Sequence, residues 1–310
     1  MKLSTWIALA GIPLWTGIMR AESPPDSFAY ILQADSFAKA KPAAVERLTA
    51  CRRDWIVLDA AFDGDTPWER ADLDTIRGGH AGRKVVAYIS IGEAEDYRPY
   101  WRKEWGGKGK LTAAAPAWLG AQNPEWKGNY RVKYWKPEWQ KLMLAAIDDA
   151  MARGFDGVYL DIVDGFETFE QDGTKFIDNR VNPDTKQSYR RDMVDWVKAI
   201  TARARARNPA ALVIPQNGSQ LVMHPDFLEV INAIGIEDLF TDGNKVQPKS
   251  HTDEVLGHLR KLAAARKPVL LIEYPKTAER QALSKKLAAE NGLVWLLTDR
   301  QLKTLGESGR

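Results

Sequence analysis

The sequence predicts an α/β protein built as a single (β/α)8 barrel of the TIM type, with a long aromatic-rich loop after its third strand. Three observations predict it. Eight short aliphatic runs recur along the 310 residues, amphipathic stretches separate them, and several of the runs stop at a carboxylate or carboxamide. A buried parallel strand reads as a continuous β-branched and aliphatic run, and its side chains reach water only where the strand emerges. Acids placed there converge on one face, which is how a barrel assembles a site from several strand ends.

The strand candidates, in order, are Ala29 to Gln33, Ile56 to Asp59, Val85 to Ile91, Gly157 to Asp161, Leu212 to Gln216, Ile231 to Glu237, Val269 to Tyr274 and Leu293 to Leu297. Between them, Pro137 to Arg153, Gln187 to Arg207, Gln220 to Val230, Thr252 to Arg266 and Thr277 to Glu290 read as helices. Pro137 suits a first helical position and Gly154 a helix end. Strands alternating with helices imply βαβ crossovers and a parallel sheet. An open doubly wound sheet is the alternative, but no glycine-rich phosphate loop follows the first strand.

With 45% hydrophobic residues and no low-complexity tract, the chain can bury one large core, and no internal linker is apparent. Residues 1–21 read as a signal peptide, with Lys2 before an apolar stretch and Ala21 before Glu22-Ser-Pro-Pro, leaving 22–310 as the barrel domain. An N-terminal anchor is the alternative, although the stretch is short for a span of about 20 residues. A secreted or periplasmic protein is therefore expected, with no stable membrane span after cleavage. Cys51 stands alone, and the four histidines form no HExxH or other zinc pattern. Net charge is +3, and the basic run Arg203 to Asn208 suits a solvated helix end, so nucleic acid is not an expected partner.

The connection from Gly92 to Lys136 is long and dense in Trp and Tyr. Such loops are functional or disordered, and this aromatic content argues against disorder. Most of these rings read as a rim-covering hydrophobic cluster, with one or two available to face a sugar.

Asp161 is the leading candidate for chemistry. It ends Gly157-Val-Tyr-Leu-Asp161, and a carboxylate at the end of an apolar strand is costly unless paired or used. Lys133 or Arg131 would be the partner in a purely structural role. Asp164 reads as a loop cap or as a residue orienting Asp161. Glu237 ends the sixth strand with Asp238 after it, and with Asp161 it makes the carboxylate pair that glycosidic cleavage requires. An N-cap or salt bridge is the structural alternative for Glu237. Asp59, Glu93 and Glu273 lie at other strand ends, and Glu273 is the chief rival as the acid. Gln216 and Asn217 offer neutral hydrogen bonding to sugar hydroxyls.

Val57-Leu-Asp59, Ala87-Tyr-Ile-Ser-Ile-Gly-Glu93, Gly128-Asn-Tyr-Arg-Val-Lys-Tyr-Trp135, Gly154-Phe-Asp-Gly-Val-Tyr-Leu-Asp161, Pro215-Gln-Asn-Gly218 and Gly235-Ile-Glu-Asp238 together resemble the motif series of the endo-α-1,4-polygalactosaminidase family of glycoside hydrolases. The resemblance runs from the second strand to the sixth and continues more weakly to the last. It implies a (β/α)8 barrel, an exported endo-hydrolase, an α-1,4-linked galactosamine polymer as substrate, Asp161 as nucleophile and Glu237 as acid/base, with retention of configuration. The substrate-binding set is then Asp59, Glu93, Tyr130, Lys133, Asp164, Gln216, Asn217 and Glu273, with no metal or organic cofactor expected. Acidic loops at the strand ends, in a chain of slightly positive total charge, imply a negative cleft suited to a cationic galactosaminan. A catalytically silent polysaccharide-binding barrel in exopolysaccharide export or biofilm assembly is the rival. A sugar isomerase or aldolase ranks last, because the strand ends offer no Schiff-base lysine.

Overall fold

The computed structural model describes residues 24–310, so the expected signal segment lies outside the described residues. Eight parallel strands follow one another: β1 (Phe28–Ile31), β2 (Trp55–Asp59), β3 (Lys84–Ser90), β4 (Gly157–Asp161), β5 (Leu212–Pro215), β6 (Ile234–Glu237), β7 (Val269–Glu273) and β8 (Val294–Leu297). β1 to β5 form one ladder, and β6 to β8 form another that ends in β9 (Glu307–Gly309), antiparallel to β8. A single parallel bridge, Gln216 to Gly235, links the ladders. On the opposite side no ladder joins β8 to β1 among the described residues. There Leu32 N donates to Leu302 O, and Phe28 N donates to the Ser308 hydroxyl. After β8 the chain runs through a turn into β9, with no helix there among the described residues.

Helices α1 (Lys41–Ala50), α2 (Arg70–Gly78), α3 (Pro137–Arg153), α4 (Tyr189–Arg207), α5 (Pro225–Val230), α6 (Lys249–Ala264) and α7 (Ala278–Glu290) alternate with the strands. In α3 the buried positions Trp139, Met143, Ile147, Ala150 and Met151 keep helical spacing, so one stripe meets the sheet. Gly154 ends that helix at φ 101°, and a Cβ there would also lie 2.8 Å from the Arg70 guanidinium. Substitution would be opposed by the conformation, while the tip of the Arg70 side chain can move aside. The expected helix Gln220 to Val230 divides instead into a 3₁₀ turn, Ser219–Met223, and α5, because Pro225 holds the preceding His224 in extended backbone. The sixth strand starts at Ile234 rather than Ile231, since the Asn232 side chain and amide engage the β5 backbone at Val213.

Side chains alternate across the pleat, and this alternation decides what reaches the site. Tyr30, Val57, Tyr88, Tyr159, Ile214, Ile272 and Leu296 form a cluster on one face. Leu58, Ala87, Leu160, Val213, Ile236, Leu271 and Trp295 belong to the other, against the helices. Gly235 is required on the first face, because a Cβ there would fall 1.8 Å from the Tyr159 hydroxyl oxygen.

The Gly92 to Lys136 connection has its own structure, an antiparallel sheet of Glu93–Glu95, Asn129–Val132 and Leu119–Gln122. Its rings interlock: Trp101 lies 4.7 Å from Tyr130, Trp105 5.4 Å from Trp118, and Trp118 5.1 Å from Trp139 of α3, centroid to centroid. Edge and tilted contacts of this kind are favourable beyond their buried area. Two rings escape the cluster, Tyr97 and Trp126, with 54% and 51% exposure.

Candidate active site

A cleft of about 850 Å³ opens where the parallel strands end and the aromatic segment begins. Ten Asp and Glu residues line it against three arginines, Arg98, Arg131 and Arg300, and no lysine. The chain's small positive charge is thus reversed locally. Tyr97 and Trp126, the two exposed rings, are in the lining.

Asp161 ends β4 on the same face as Tyr159. The Tyr88 hydroxyl donates to its Oδ2 at 2.6 Å, and its own chain neighbour Ile162 donates N–H to Oδ1 at 2.8 Å. Burial raises its pKa, and these two donors work against that rise. No cation touches it among the described residues; Lys133 is exposed and outside the cleft lining. The donors are neutral and aligned, so they stabilise an ionised carboxylate without cancelling its charge.

Glu237 ends β6, on the same face as Gly235 and with β5 between it and β4. Tyr274 donates its hydroxyl to Oε1, and Gln216 donates Nε2 to Oε2 at 2.7 Å. Burial, and then the charge of Asp161, push its pKa up to about 7. The Asn217 side-chain oxygen accepts from Glu237 N at 3.1 Å, while Asn217 N donates to Gly235 O at 2.8 Å, so the end of β5 fixes the end of β6. Gln216 and Asn217 both line the cleft. The neighbouring Asp238 points elsewhere and pairs with Arg300 at 2.6 Å.

Asp59 and Glu93 also line the cleft. Arg98 donates to both oxygens of Asp59, at 2.8 and 2.7 Å, and through Nε to Glu95 at 2.6 Å. Glu93 accepts from Asn123 at 2.9 Å and Asn129 at 3.3 Å, and burial raises its pKa. Asp164 lines the cleft beside Asp161, its pKa held well above the carboxylate range by burial and by the charges of Asp161, Glu167 and Glu237.

Three of the expected substrate-binding residues lie elsewhere. Tyr130 is fully buried against Trp101, its hydroxyl accepting from Gly109 N at 3.1 Å. Lys133 projects into solvent. Glu273 is fully buried on the opposite face of β7, where Phe240 N donates to it at 2.7 Å and the Thr241 hydroxyl also donates. The sequence reading missed Tyr88, Arg98, Asn123, Asn129, Tyr274 and Arg300. Of these, Tyr88 and Tyr274 could have been found by carrying the two-residue pleat alternation along β3 and β7. Among the described residues, no group of three His, Cys, Asp or Glu is arranged to hold a metal ion, and no helix is long and apolar enough to cross a membrane.

The model of glycoside-hydrolase family GH114 matches residues 20–310. An uncharacterized protein of Deinococcus radiodurans is 35% identical over 251 residues, covering 81% of this chain and 74% of that one. Protein MJ1477 of Methanocaldococcus jannaschii, also uncharacterized, is 35% identical over 223 residues, and the match covers 71% of this chain and 60% of the archaeal protein. Among solved structures, the glycoside hydrolase domain of PelA from Pseudomonas aeruginosa superposes with TM-score 0.65 at 22% identity, covering 92% of this chain and 98% of that domain. Ega3 of Aspergillus fumigatus, in complex with galactosamine, gives TM-score 0.64 at 17% identity, with 93% and 96% covered. At these identities the two structures establish likeness of fold.

Proposed function

The chain belongs to glycoside-hydrolase family GH114, and from that premise we propose that it is an exported, endo-acting, retaining hydrolase of α-1,4-linked galactosamine polymers, with Asp161 as nucleophile and Glu237 as acid/base on a TIM-like barrel. The observation that carries this reading is the unequal treatment of two carboxylates in one cleft. Both accept a phenol and a second neutral donor and both are raised by burial, but only Glu237 is raised further by the charge of the other. Glu237 is held at about 7 by burial and by the charge of Asp161, so it keeps a proton at mildly acidic pH.

In the first step Asp161 attacks the anomeric carbon as Glu237 gives its proton to the departing glycosidic oxygen. In the second, Glu237 takes a proton from water, whose oxygen displaces Asp161 from the same carbon. Tyr88 holds Asp161, and Tyr274 and Gln216 hold Glu237. Trp126 and Tyr97 offer apolar ring faces to neighbouring sugars, and the acidic lining attracts a cationic polymer. The galactosamine held by Ega3 supports the choice of sugar. Export rests on the signal-like pattern of residues 1–21, and the N-terminal sequence of protein recovered outside the cytoplasm tests it.

Mass spectrometry of products from α-1,4-galactosamine oligomers, with NMR of the newly formed anomer, tests the activity. Shorter oligomers released first as the α-anomer are expected. Polymer binding without cleavage would replace this reading with a silent binding barrel, and a β-anomer would replace retention with inversion.

A further inference from the structure

Three arginines line the acidic cleft, and two of them are engaged by carboxylates of the protein: Arg98 by Asp59 and Glu95, Arg300 by Asp238. Arg131 is not. Among the described residues its guanidinium makes no hydrogen bond and no ion pair, although ten Asp and Glu residues share the lining.

The sheet that carries Arg131 explains why it is left over. Across the ladder Glu93 faces Arg131, Ala94 faces Tyr130 and Glu95 faces Asn129. Directly opposed residues share a face of a sheet, so Ala94 and Tyr130 enter the aromatic core while Glu93, Glu95, Asn129 and Arg131 line the cleft. Both acids on that face have donors from elsewhere. Glu93 accepts from Asn123 and Asn129, and Glu95 from Arg98 and Tyr97. Burial raises the Glu93 pKa, and the two amides and the Arg131 charge work against that rise, yet no ion pair forms. A half-buried guanidinium therefore stands in the cleft wall with N–H groups that the protein does not engage.

What such a group receives is set by its charge and shape. It donates and cannot accept, and its planar fork suits the oxygen of a carbonyl or a carboxylate. A sugar with a free ammonium brings donors and a like charge, so it gains nothing at this wall. A sugar carboxylate would pair with Arg131 but would enter a lining of ten acids, at an electrostatic cost. An acetamido group brings a neutral carbonyl oxygen and a methyl group. Trp126, 51% exposed in the same lining, offers that methyl an apolar face. It lies on the turn that enters the Arg131 strand, where Asn129 N donates to Trp126 O at 3.1 Å.

We propose that Arg131, with the Trp126 ring, forms a subsite for an N-acetylated amino sugar on the wall built by the aromatic segment, rather than at the ends of β4 and β6, and so aligns partly acetylated polymer in the cleft. The proposal rests on the glycosidase reading above and adds the class of sugar held beyond the point of cleavage.

The test digests partly N-acetylated and fully de-N-acetylated α-1,4-galactosamine oligomers with wild type, Arg131→Gln and Arg131→Lys. Mass-spectrometric sequencing places each acetyl group relative to the cut, and thermal melting controls for folding. Wild type should enrich the acetyl group at one fixed distance from the cut. Arg131→Gln should abolish that enrichment and lower the ratio of kcat/KM, partly acetylated over deacetylated oligomer, by about tenfold, as expected for one hydrogen bond from a charged donor. Its kcat/KM on the deacetylated oligomer should hold or rise, because a like charge has gone. Arg131→Lys keeps the charge but not the fork, and should recover part of the ratio. Random acetyl placement by wild type, an unchanged ratio in Arg131→Gln, or an equal fall on both substrates overturns the proposal. So does a tighter wild-type affinity for a galacturonate oligomer than for the acetylated one. Wild type that cleaves no oligomer overturns the glycosidase reading instead. The subsite is then judged by calorimetric affinity for the acetylated oligomer relative to the deacetylated one, which Arg131→Gln should reduce if the proposal holds and leave unchanged if it does not.

Discussion

Glu237 and Glu273 carry the same signature in sequence, a glutamate closing an aliphatic run, and they end adjacent strands. Burial pushes both up to about 7. Their surroundings nevertheless diverge. The β6–β7 register pairs Glu237 with Ile272, so Glu273 stands one residue further and faces the other side of the sheet. Glu237 opens on the cleft beside Asp161, with a phenol and a carboxamide that leave it reachable by substrate. Glu273 is closed in by the Phe240 amide and the Thr241 hydroxyl, and it secures the loop after β6. A perturbed pKa thus marks a buried acid, and the pleat decides whether that acid meets a ligand.

The comparison is broken most severely at the partner that only Glu237 has. Asp161→Asn should lower turnover by about 10⁴-fold or more while polymer binding persists, since the displaced group is the proposed nucleophile. It should also drop the pKa of Glu237, because the charge of Asp161 is the second cause of its elevation. Titration of Glu237 by carbon-13 NMR checks this, and Glu273, for which Asp161 is not a cause, should stay put. Next in size, Glu237→Gln should cost about 10²- to 10⁴-fold in kcat. Aryl glycosides whose leaving group needs no proton should recover most of the first step. Equal losses on good and poor leaving groups would remove Glu237 from the acid role.

Much of this arrangement was legible in the chain. The eight strands are visible as aliphatic runs, and Asp161 is visible because a strand that ends in a carboxylate after Val-Tyr-Leu exposes an anomaly. Glu237 and Glu273 were not separable, because the run gives the end of a strand but not its pleat phase. Counting by twos from the glycine that Tyr159 requires, Gly235, would have put Glu237 in and, through the register, Glu273 out. Arg98 could not be read at all. It lies in an irregular segment, and its pairing with Asp59 joins residues 39 apart in sequence by a contact that no local pattern encodes. Tyr130 and Lys133 were drawn in by the Gly128–Trp135 motif. That motif builds the strand Asn129–Val132 and the aromatic cluster, and its contribution to the cleft comes from Asn129 and Arg131 instead.

The pH profile sharpens the same contrast with a smaller effect. Asp161 must be ionised and Glu237 protonated, so kcat/KM should fall as pH drops through the raised pKa of Asp161 and fall again as pH rises through about 7. The Tyr274 hydrogen bond lowers the pKa of Glu237. Tyr274→Phe should therefore move the alkaline limb upward by about one pH unit, the worth of one hydrogen bond to a charged group. A limb that does not move would mean that another group sets it.

Glu273→Gln should have the least effect on catalysis and a clear one on stability. Its side chain lies outside the cleft lining, so kcat/KM should stay within about threefold of wild type. The amide keeps one acceptor for Phe240 N but meets the Thr241 hydroxyl differently, at a cost of about 1–3 kcal/mol. The sign of the pH dependence separates this from a general loss of packing. The folded pKa of Glu273 lies above its ordinary value, so the stability it contributes is complete below that ordinary value and declines as pH rises through about 7. Urea denaturation between pH 5 and pH 8 should show wild type losing stability with rising pH and the variant losing less, with Glu237, Asp164 and the other acids raised by burial supplying what slope remains. An unchanged slope would mean that Glu273 keeps its ordinary pKa in the folded protein, and the likeness between the two glutamates would then end at the sequence.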